Sequence, residues 1–512
     1  GTMSMDIDDD ALNSLLADAD FPLDIDFAAI DADPFESFQA APQQAMAPPP
    51  PQTAAHTSTE LINNLLQYQI GQDTQLRLLR EKQKKLFSAP SNEALQIISA
   101  EQKALYDQLK VELQNLDMLT SQVLLTPGEL HRVDYLRNEF QLQTHQLQLY
   151  IHELEQLVRG QRVTNPIATL VIARQPFPTV PSKGQQLNEG DLVLQLLTGA
   201  ATTVVGFSPV KGMVVIDSSR TNEDKAISGH TQQLDNSLLK AQFPITFEEG
   251  TRKNVAKLRF IVDVQVEQMG HKASGSLESI TNSAPFVVMT NQKQWEGCER
   301  TLLQRDAFGG SAEITWLQFA NALQRQFIRA TRQDPQNPSR CLSPFDFAYL
   351  HEKFIMKRPF FQQREYEAFW NWYGKCIQVI RYQRHIGQLW QEGLLYGFMT
   401  REEVTMALAD EPPGTFVLRF SERHAGQVGI AYVGSEMNSI KHYLVQPNDT
   451  AGSKVTLPDF LRDKSQFISM LQFTLLPSGT PQFRRLPKDQ VLGQMYSRRA
   501  GGDTSGSGYD PL

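Results

Sequence analysis

The stretch GTFVLRFSER, residues 414–423, decides what kind of domain the C-terminal part of the chain forms. Its apolar residues alternate, so a strand here would turn one set of side chains towards a core and the other set to the opposite face. The core-facing set is Phe416, Leu418 and Phe420, and the other is Val417, Arg419 and Ser421. Because an unpaired charge loses its hydration in a low-dielectric interior, Arg419 requires an anion.

Two kinds of anion could meet Arg419. One is a structural carboxylate of the same chain. The other is a phosphate, whose oxygens match the planar five-donor guanidinium, and phosphotyrosine brings roughly two negative charges and three acceptor oxygens. The hydroxyl of Ser421 and the backbone amides of the following turn would converge on the same point as the guanidinium. The full string therefore favours a phosphate site.

The string TFVLRFSE, with IKHY at 440–443, resembles the arginine strand and the following strand of the Src homology 2 domain, which binds phosphotyrosine. The preceding residues narrow the resemblance: LWQEGLLYGFM at 389–399, TREE at 400–403 and PPGTF at 412–416 resemble the STAT transcription factors. Together these ordered matches extend over about thirty residues, which is a far more specific signal than one short motif.

The resemblance implies a set of phosphotyrosine contacts, in which Arg419 is the bidentate phosphate ligand and Arg401 a second cation at a helix start. The full set is Arg419, Arg401, Ser421, Glu422, Arg423 and His442. Ser421 and Glu422 begin the phosphate loop. Arg423 stands where animal members carry a small hydroxyl residue, and His442 fits the general phosphotyrosine module better than animal STATs. These departures indicate a divergent, non-animal member, and the helical segment at 58–160 looks short beside the long coiled coil of animal STATs.

The C-terminal residues 498–512 form a Gly/Ser-rich tail that ends in Tyr509-Asp510-Pro511-Leu512. Such a run behaves as a flexible coil, and about a dozen residues reach at most ~40 Å. A terminal tyrosine can be simply solvated. By the resemblance, an upstream tyrosine kinase phosphorylates Tyr509, which then docks on Arg419 of a second copy. Because the contact is reciprocal, it closes as a homodimer with two-fold symmetry.

The composition of the whole chain limits the alternatives. The 512 residues suffice for several domains, and 41% hydrophobic with 21% charged residues is typical of a soluble globular protein. We expect no membrane segment and no secretory signal. The cysteines Cys298, Cys341 and Cys376 are scattered, which favours a reducing compartment. We find no motif of an enzyme, a metal site or a cofactor site, so we expect a non-enzymatic protein without any of these.

The acidic residues are concentrated at the N-terminus. Residues 1–76 contain thirteen Asp and Glu and no Lys or Arg, whereas the remainder carries 48 basic against 44 acidic residues. Residues 1–57 interleave acidic with aromatic and aliphatic residues and end in a proline run, which predicts a disordered acidic and proline-rich tail. It is either an activation segment that binds a transcriptional co-regulator or a solvated tail without a role.

Residues 58–160 have helical periodicity and predict a helical bundle or coiled coil. Thr126-Pro127-Gly128-Glu129 predicts a helix start with a capping box, and Pro90 separates two earlier helices. The predicted seam of the last helix is Val133, Leu136, Phe140, Leu147, Ile151, Leu154 and Val158.

Residues 161–294 have the two-residue period of an immunoglobulin-like β-sandwich. Predicted strands lie at 167–172, 191–197, 212–216, 243–247, 258–266 and 285–289. RQP at 174–176 and SAPFVVMTN at 283–291 resemble the first and last strands of the STAT DNA-binding domain, which implies that Asn291 contacts base edges. The candidate phosphate contacts in the loops are Lys183, Lys211, Arg220, Lys225, Arg252, Lys253 and Lys257.

Residues 295–385 resemble the helical STAT linker through ITWxxF at 314–319 and FWNW at 369–372, and residues 386–497 form the predicted Src homology 2 domain. The predicted fold class is therefore multidomain α + β: helical bundle, β-sandwich, helical linker and α+β phosphotyrosine module.

The sequence indicates a signal-dependent transcription factor that binds palindromic double-stranded DNA as a dimer. It would be cytoplasmic when unphosphorylated and nuclear after phosphorylation. The alternative is a cytosolic phosphotyrosine adaptor of the Cbl type, which also joins a helical bundle and an EF-hand-like segment to a phosphotyrosine module but binds no DNA. The predicted sandwich, the acidic tail and Tyr509 favour the transcription factor.

Overall fold

A computed structural model describes residues 53–160, 164–176, 178–187, 192–216, 226–436, 439–450, 455–477 and 479–497, with side chains from residue 58. The N-terminal tail predicted at 1–57 lies almost wholly outside these residues, as do the tail from residue 498 with Tyr509, and the two loop cations Arg220 and Lys225. Over the described ranges the chain has helices, then a β-sandwich, then helices, then a mixed sheet. The predicted multidomain α + β fold class is confirmed.

Three long helices form the first domain: α1 (Thr53–Ser88), α2 (Asn92–Gln122) and α3 (Pro127–Arg159). The start of α3 is fixed by its own sequence, because Thr126 accepts a hydrogen bond from the Glu129 backbone N–H while the Glu129 side chain accepts from Thr126, with Pro127 in the first turn. Helix α3 ends at Gly160, whose φ of 61° is left-handed. The predicted capping box is confirmed.

The predicted seam of α3 is only partly correct. Val133, Leu136, Phe140, Leu147 and Leu154 are buried between the three helices. Ile151 is half-buried, and Val158 is 61% exposed because α3 ends one residue later. The spacing of apolar residues therefore predicts the buried face in the middle of this helix better than in its last turn.

The second domain is a β-sandwich of two larger antiparallel sheets, with a separate antiparallel pair formed by two of its short strands. Its longer strands are β1 (Ala168–Arg174), β2 (Val193–Thr198), β3 (Thr202–Phe207), β4 (Val210–Ile216), β9 (Ala256–Gln268) and β10 (His271–Glu278). Its short strands are β5 (Ile227–Ser228), β6 (Thr231–Gln232), β7 (Lys240–Gln242) and β8 (Thr246–Phe247). One sheet has the order β1-β2-β7, and the other has β10-β9-β4-β6 with β3 also paired to β9. Alternate residues of β9 are buried, as expected for a strand with one face on a core.

The strand predicted at 285–289 does not form a continuous ladder. Phe286 makes isolated bridges to Thr179 and Ala256, and Met289 makes one to Ser182. Conversely, β3 and β10 were not predicted; β10 in particular contains no β-branched or aromatic residue that would mark it as a strand. The last segment of the sandwich therefore connects the loop that contains Thr179 and Ser182 to the start of β9 rather than extending a sheet.

The third domain is helical and centres on α4 (Trp295–Phe308), α5 (Trp316–Ala330), α6 (Pro344–Ile355) and α7 (Tyr366–Tyr382). The short strands β11 (Glu313–Thr315) and β12 (Phe360–Gln362) pair antiparallel between them. Phe319 and Phe369 are fully buried, with ring centroids 5.1 Å apart. The aromatic motifs therefore form a packed core, and we call residues 295–382 the linker domain.

The C-terminal domain is built on a mixed sheet. It contains α8 (Ile386–Gln391), β13 (Leu395–Gly397), α9 (Arg401–Leu408), β14 (Thr415–Phe420), β15 (Val428–Val433), β16 (Ile440–Leu444), α10 (Leu457–Arg462), β17 (Ser469–Leu475), β18 (Pro481–Pro487) and α11 (Lys488–Leu492). The sheet order is β16-β15-β14-β17-β18, with β13 parallel to β14. All six residues of β14 are buried, so this strand is the centre of the domain.

The first two domains meet at Glu153 of α3, a carboxylate with no exposed surface. It accepts hydrogen bonds from Gln83 Nε2 (2.7 Å), the Ala201 backbone N–H (3.0 Å), Thr202 Oγ1 (2.6 Å) and Gln268 Nε2 (3.0 Å). Four donors from both domains thus satisfy one buried charge.

The helical domain also contacts the linker domain, through Asn321 of α5. This side chain, 1% exposed, donates to the carbonyls of Thr120 and Val123 (both 2.8 Å) and accepts from the Leu125 backbone N–H (3.0 Å). Nearby, Arg325 and Asp134 form a two-bond ion pair at 2.9 and 3.0 Å. The loop between α2 and α3 is therefore fixed to the linker.

We predict that Glu153→Ala lowers the free energy of unfolding by about 3 kcal/mol or more, because it leaves four buried donors without their acceptor. The measurement is urea unfolding followed by circular dichroism. The control is Glu155→Ala, which removes an exposed carboxylate from the same turn of α3 and should change stability by less than about 0.5 kcal/mol. Equal stabilities for the two variants would contradict the assignment of Glu153 to the junction.

Candidate phosphotyrosine and DNA sites

Arg419 lies in the central strand β14, with its side chain on the face opposite to the main core. Phe416, Leu418 and Phe420 join that core, and Val417 packs in a smaller cluster with residues of α9. Arg419 is only 9% exposed. Within the described residues its guanidinium donates only to main-chain carbonyls, those of Met399 (3.5 Å) and Phe420 (3.2 Å). The cation is therefore buried without a carboxylate as its partner.

The surroundings of Arg419 disfavour its charge. Burial lowers the pKa of the guanidinium; the nearby Glu422 and Tyr349 raise it in part, and the positive charge of Arg401 lowers it by a smaller amount. Two cations that oppose each other in a partly desolvated place are stabilised when an anion is bound between them. This is the electrostatic pattern of an anion site.

Arg401 is positioned by the start of α9. Thr400 is the N-cap, accepting from the Glu403 backbone N–H (3.1 Å), and the Glu403 side chain accepts from the Thr400 backbone N–H (2.8 Å). Arg401 is the first residue of the helix and is exposed. The capping box thus places a mobile cation and a helix N-terminus on the side of Arg419.

The segment between β14 and β15, residues 421–427, contains the predicted phosphate loop. The Ser421 backbone N–H donates to the Gln427 carbonyl (2.8 Å), which closes the loop. Ser421 Oγ accepts from the His424 backbone N–H (3.1 Å) and lies 3.4 Å from His424 Nδ1. Glu422 is half-buried and Arg423 is exposed. The sequence analysis did not predict a role for His424, because the family motif on which it relied ends before this residue.

His442 lies on β16, opposite Ala431, which is itself opposite Val417. Cross-strand partners share a face, so His442 is on the same face as Arg419, two strands or about 10 Å away. The structure thus places His442 on the same face as Arg419 and Arg401 close to it, while Ser421, Glu422 and Arg423 follow directly after the strand that carries Arg419.

Two linker-domain residues also reach this site. Lys353 Nζ donates to the Glu422 carbonyl (2.9 Å), and Trp372 Nε1 donates to the Ser421 carbonyl (3.1 Å). The sequence analysis gave the motif containing Trp372 only as a resemblance to the linker, with no role at this site. No sequence signal marks these contacts, because their acceptors are backbone carbonyls 49 and 69 residues away.

The second candidate site is formed by three segments at the end of the sandwich where β9 begins. The Lys183 backbone N–H donates to the Met289 carbonyl (2.8 Å), and the Thr251 backbone N–H donates to the Val288 carbonyl (3.1 Å). Asn291 follows directly and is exposed. These bonds place the exposed residues Lys183, Arg252, Lys253 and Asn291 on neighbouring segments.

The two remaining cations lie on the outer face of the sheet. Lys257 is at the beginning of β9, near the three segments, whereas Lys211 of β4 pairs with Ile261, about 13 Å further along the strand. The sequence reasoning missed Lys293, which is exposed two residues after Asn291. The structure therefore groups Lys183, Arg252, Lys253, Lys257 and Asn291 and places Lys211 further away.

Comparison with known protein families matches four consecutive parts of the chain. The matching families are "Dictyostelium STAT, coiled coil" at 59–165, "STATa Immunoglobulin-like domain" at 168–289, "EF-hand fold domain" at 291–383 and "SH2 domain" at 395–470. The chain is 43% identical over 429 residues to signal transducer and activator of transcription A of Dictyostelium discoideum. This chain belongs to the STAT family.

Two further relatives show how the similarity is distributed. Signal transducer and activator of transcription B of Dictyostelium discoideum is 39% identical over 509 residues, and the mouse signal transducer and activator of transcription 4 is 32% identical over 134 residues. The alignments cover 82%, 90% and 25% of this STAT chain, in the order given. It spans 59% and 44% of the lengths of the two Dictyostelium relatives.

The match to an EF-hand fold raises the question of calcium, which needs several oxygen ligands, mostly carboxylates, in each loop. The loop at 309–315 of this STAT contains one carboxylate, Glu313, and the loop at 356–362 contains none and carries Lys357 and Arg358. In the part of the chain that the structure describes, no group of three or more His, Cys, Asp or Glu could hold a metal ion. The described linker domain therefore matches the EF-hand fold but lacks a set of carboxylates that could bind calcium.

None of the helices in the described ranges combines the length and the apolar character needed to cross a bilayer.

Tyr349 of α6 is a buried phenol below the Arg419 site. Its ring lies 6.2 Å from that of Phe398 and 6.0 Å from that of Trp372. Its hydroxyl is buried and, among the described residues, has no hydrogen-bond partner. Burial raises the pKa of this phenol, as does the nearby Glu422, while Arg419 lowers it. The hydroxyl therefore carries a desolvation cost without compensation.

We predict that Tyr349→Phe raises the free energy of unfolding by about 1 kcal/mol, since it removes an uncompensated buried hydroxyl. The matched comparison is Tyr373→Phe, whose hydroxyl donates to Gln326 Oε1 (3.0 Å) and whose loss should instead destabilise by about 1 kcal/mol. Urea unfolding followed by tryptophan fluorescence measures both. The prediction is wrong if the two variants shift the midpoint in the same direction by the same amount.

Proposed function

We propose that this STAT is a signal-dependent, sequence-specific DNA-binding transcription factor, which dimerises when phosphorylated Tyr509 of each copy docks on Arg419 of the other. One observation carries the proposal: Arg419 is buried with a second cation nearby and, in the described residues, without a carboxylate partner. A phosphate with roughly two negative charges would satisfy this cation better than solvent does.

The docking segment belongs to the same chain, which makes the contact reciprocal. Two weak peptide contacts then support each other, because the first one raises the effective concentration for the second. An upstream tyrosine kinase supplies the switch, and the unphosphorylated chain stays monomeric in the cytoplasm. The dimer acts in the nucleus, where the acidic N-terminal residues engage a transcriptional co-regulator.

The DNA contacts of the proposal rest on the grouped segments of the sandwich. Lys183, Arg252, Lys253 and Lys257 supply phosphate contacts, and Asn291 reads a base edge, for which an amide has both a donor and an acceptor. Lys211 lies further away and would meet DNA only if the duplex extends along the outer face of β4. Two copies related by a two-fold axis would read a palindrome.

The alternative is a cytosolic adaptor of the Cbl type, which shares the EF-hand-like segment and the phosphotyrosine module. The match of the linker domain to an EF-hand fold gives this alternative one observation in its favour. Against it, the sandwich separates the helical domain from the linker domain, and its grouped cations have no use in an adaptor. We therefore favour the transcription factor.

Our test of the switch compares dimer formation with and without phosphorylation of Tyr509. We expect phosphorylation to shift the native chain to a dimer, and both Tyr509→Phe and Arg419→Ala to remain monomeric, because each removes one half of the contact. Multi-angle light scattering gives the mass.

The control is Arg484→Ala, which removes an exposed cation of β18 at the far edge of the same sheet and should leave dimer formation intact. Unchanged dimerisation of phosphorylated Arg419→Ala would refute the reciprocal contact.

Our test of DNA binding uses the phosphorylated dimer and a set of palindromic duplexes in a gel-shift assay. We expect Asn291→Ala to weaken binding to the preferred duplex by about 1–3 kcal/mol and to leave binding to other duplexes nearly unchanged. Lys183→Ala should weaken binding to all duplexes alike, because a phosphate contact carries no sequence information. It should also reduce the salt dependence of the affinity, because one fewer phosphate is neutralised.

The control is Lys272→Ala. This exposed lysine of β10 lies opposite Glu267 in the β9–β10 ladder, about 37 Å along β9 from Ala256. Its removal should not change DNA binding. Equal retardation of phosphorylated and unphosphorylated chains would favour the adaptor.

A further inference from the structure

The phosphate loop of the C-terminal domain is held from outside that domain. The Glu422 carbonyl accepts from Lys353 of α6, and the Ser421 carbonyl accepts from Trp372 of α7, at 2.9 and 3.1 Å. Both donors belong to the linker domain. The first half of the loop is thus fixed by two hydrogen bonds that the C-terminal domain could not make alone.

The two donors also support each other. Lys353 Nζ lies 5.0 Å from the centre of the Trp372 ring, a cation–π contact, and the Trp372 ring packs 5.6 Å from that of Phe398. Trp372 is buried, and burial lowers the pKa of Lys353. Because both side chains are held by packing, the two donors are preorganised rather than flexible.

The second half of the loop packs against α7, the helix that carries Trp372. Gly426 has a φ of +77°, and a Cβ there would lie 3.2 Å from the Lys375 carbonyl oxygen. Burial raises the pKa of the neighbouring Cys376 thiol to about 12, and the backbone amide of Gly426 acts in the opposite direction. Only glycine permits this close approach in this conformation. The loop is therefore docked on α7 at both ends.

These contacts determine where the backbone amides of the loop point. In a trans peptide the N–H is antiparallel to the carbonyl of the preceding residue. The Ser421 and Glu422 carbonyls point to the linker domain, so the N–H groups of Glu422 and Arg423 point away from it. Neither N–H has a hydrogen-bond partner within the described residues. Two successive free N–H groups form a concave anion site.

We propose that Lys353 and Trp372 are positioning residues of the phosphotyrosine site, which they prepare by turning the amides of Glu422 and Arg423 towards the phosphate. The inference rests on the proposed phosphotyrosine function and adds that the binding site is shared between two domains. Without the two linker donors, the peptide groups would rotate more freely, and binding would have to order them.

The experiment measures the affinity of a fluorescent peptide with the sequence of residues 503–512, phosphorylated at tyrosine, for the full chain carrying Tyr509→Phe. Fluorescence polarisation gives the dissociation constant. We expect Lys353→Met, which keeps the apolar stem over Trp372 but loses the donor, to weaken binding about tenfold. Trp372→Phe keeps an aromatic ring and should weaken binding severalfold.

Rescue distinguishes positioning from a general loss of stability. Lys353→Arg restores a cation with donors over the same ring and should bind within about threefold of the parent. The matched control is Lys357→Met, which removes an exposed lysine just beyond α6 and should leave binding unchanged. Arg419→Ala should abolish binding.

Two outcomes would overturn the inference in different ways. If Lys353→Met and Trp372→Phe bind like the parent, the linker contacts do not position the loop, and the phosphotyrosine function stands. If the parent does not prefer the phosphorylated peptide to the unphosphorylated one, the inference fails together with the proposed function.

Discussion

The constraint on which the C-terminal half of the molecule depends is one positive charge in a desolvated strand. Arg419 lies in the middle of a six-residue strand that is buried throughout, and it has only carbonyl oxygens as partners within the described residues. The fold tolerates this because the sheet on either side is well packed, with Phe416, Leu418 and Phe420 in the main core. A cation held in this way lowers the stability of the isolated chain and gains most from an anionic ligand.

The remaining domains are joined by buried polar contacts rather than by apolar surfaces alone. Glu153 joins the helical domain to the sandwich, and Asn321 joins the loop between α2 and α3 to the linker domain. Polar contacts of this kind are directional, since a small rotation breaks them and leaves buried groups unsatisfied. They give the described domains a defined relative orientation, which the dimer proposed above would require in order to read two DNA half-sites.

Local signals allowed much of this structure to be predicted. The capping box at Thr126 and the alternation in β14 follow from interactions within a few residues, and both are confirmed. The predicted seam of α3 was wrong at Val158, where the helix ends. The segment at 285–289 forms only isolated bridges, to a loop on one side and to the first residue of β9 on the other.

The contacts of Lys353 and Trp372 with the phosphate loop could not be predicted. A backbone carbonyl has no side chain to identify it, and the partner residues are distant in sequence. The same holds for the grouping of Lys183 with Asn291, which depends on hydrogen bonds between loops.

The continuous core has a consequence for how the chain can be divided. The main apolar cluster runs without interruption from Val287 at the end of the sandwich, through Phe319 and Trp390, to Phe420 in the central strand. A fragment cut before the C-terminal sheet would expose Phe398 and other large rings to water, and such surfaces promote aggregation. The last two domains should therefore melt in a single cooperative transition, and excising the terminal module would require new polar residues on the uncovered face.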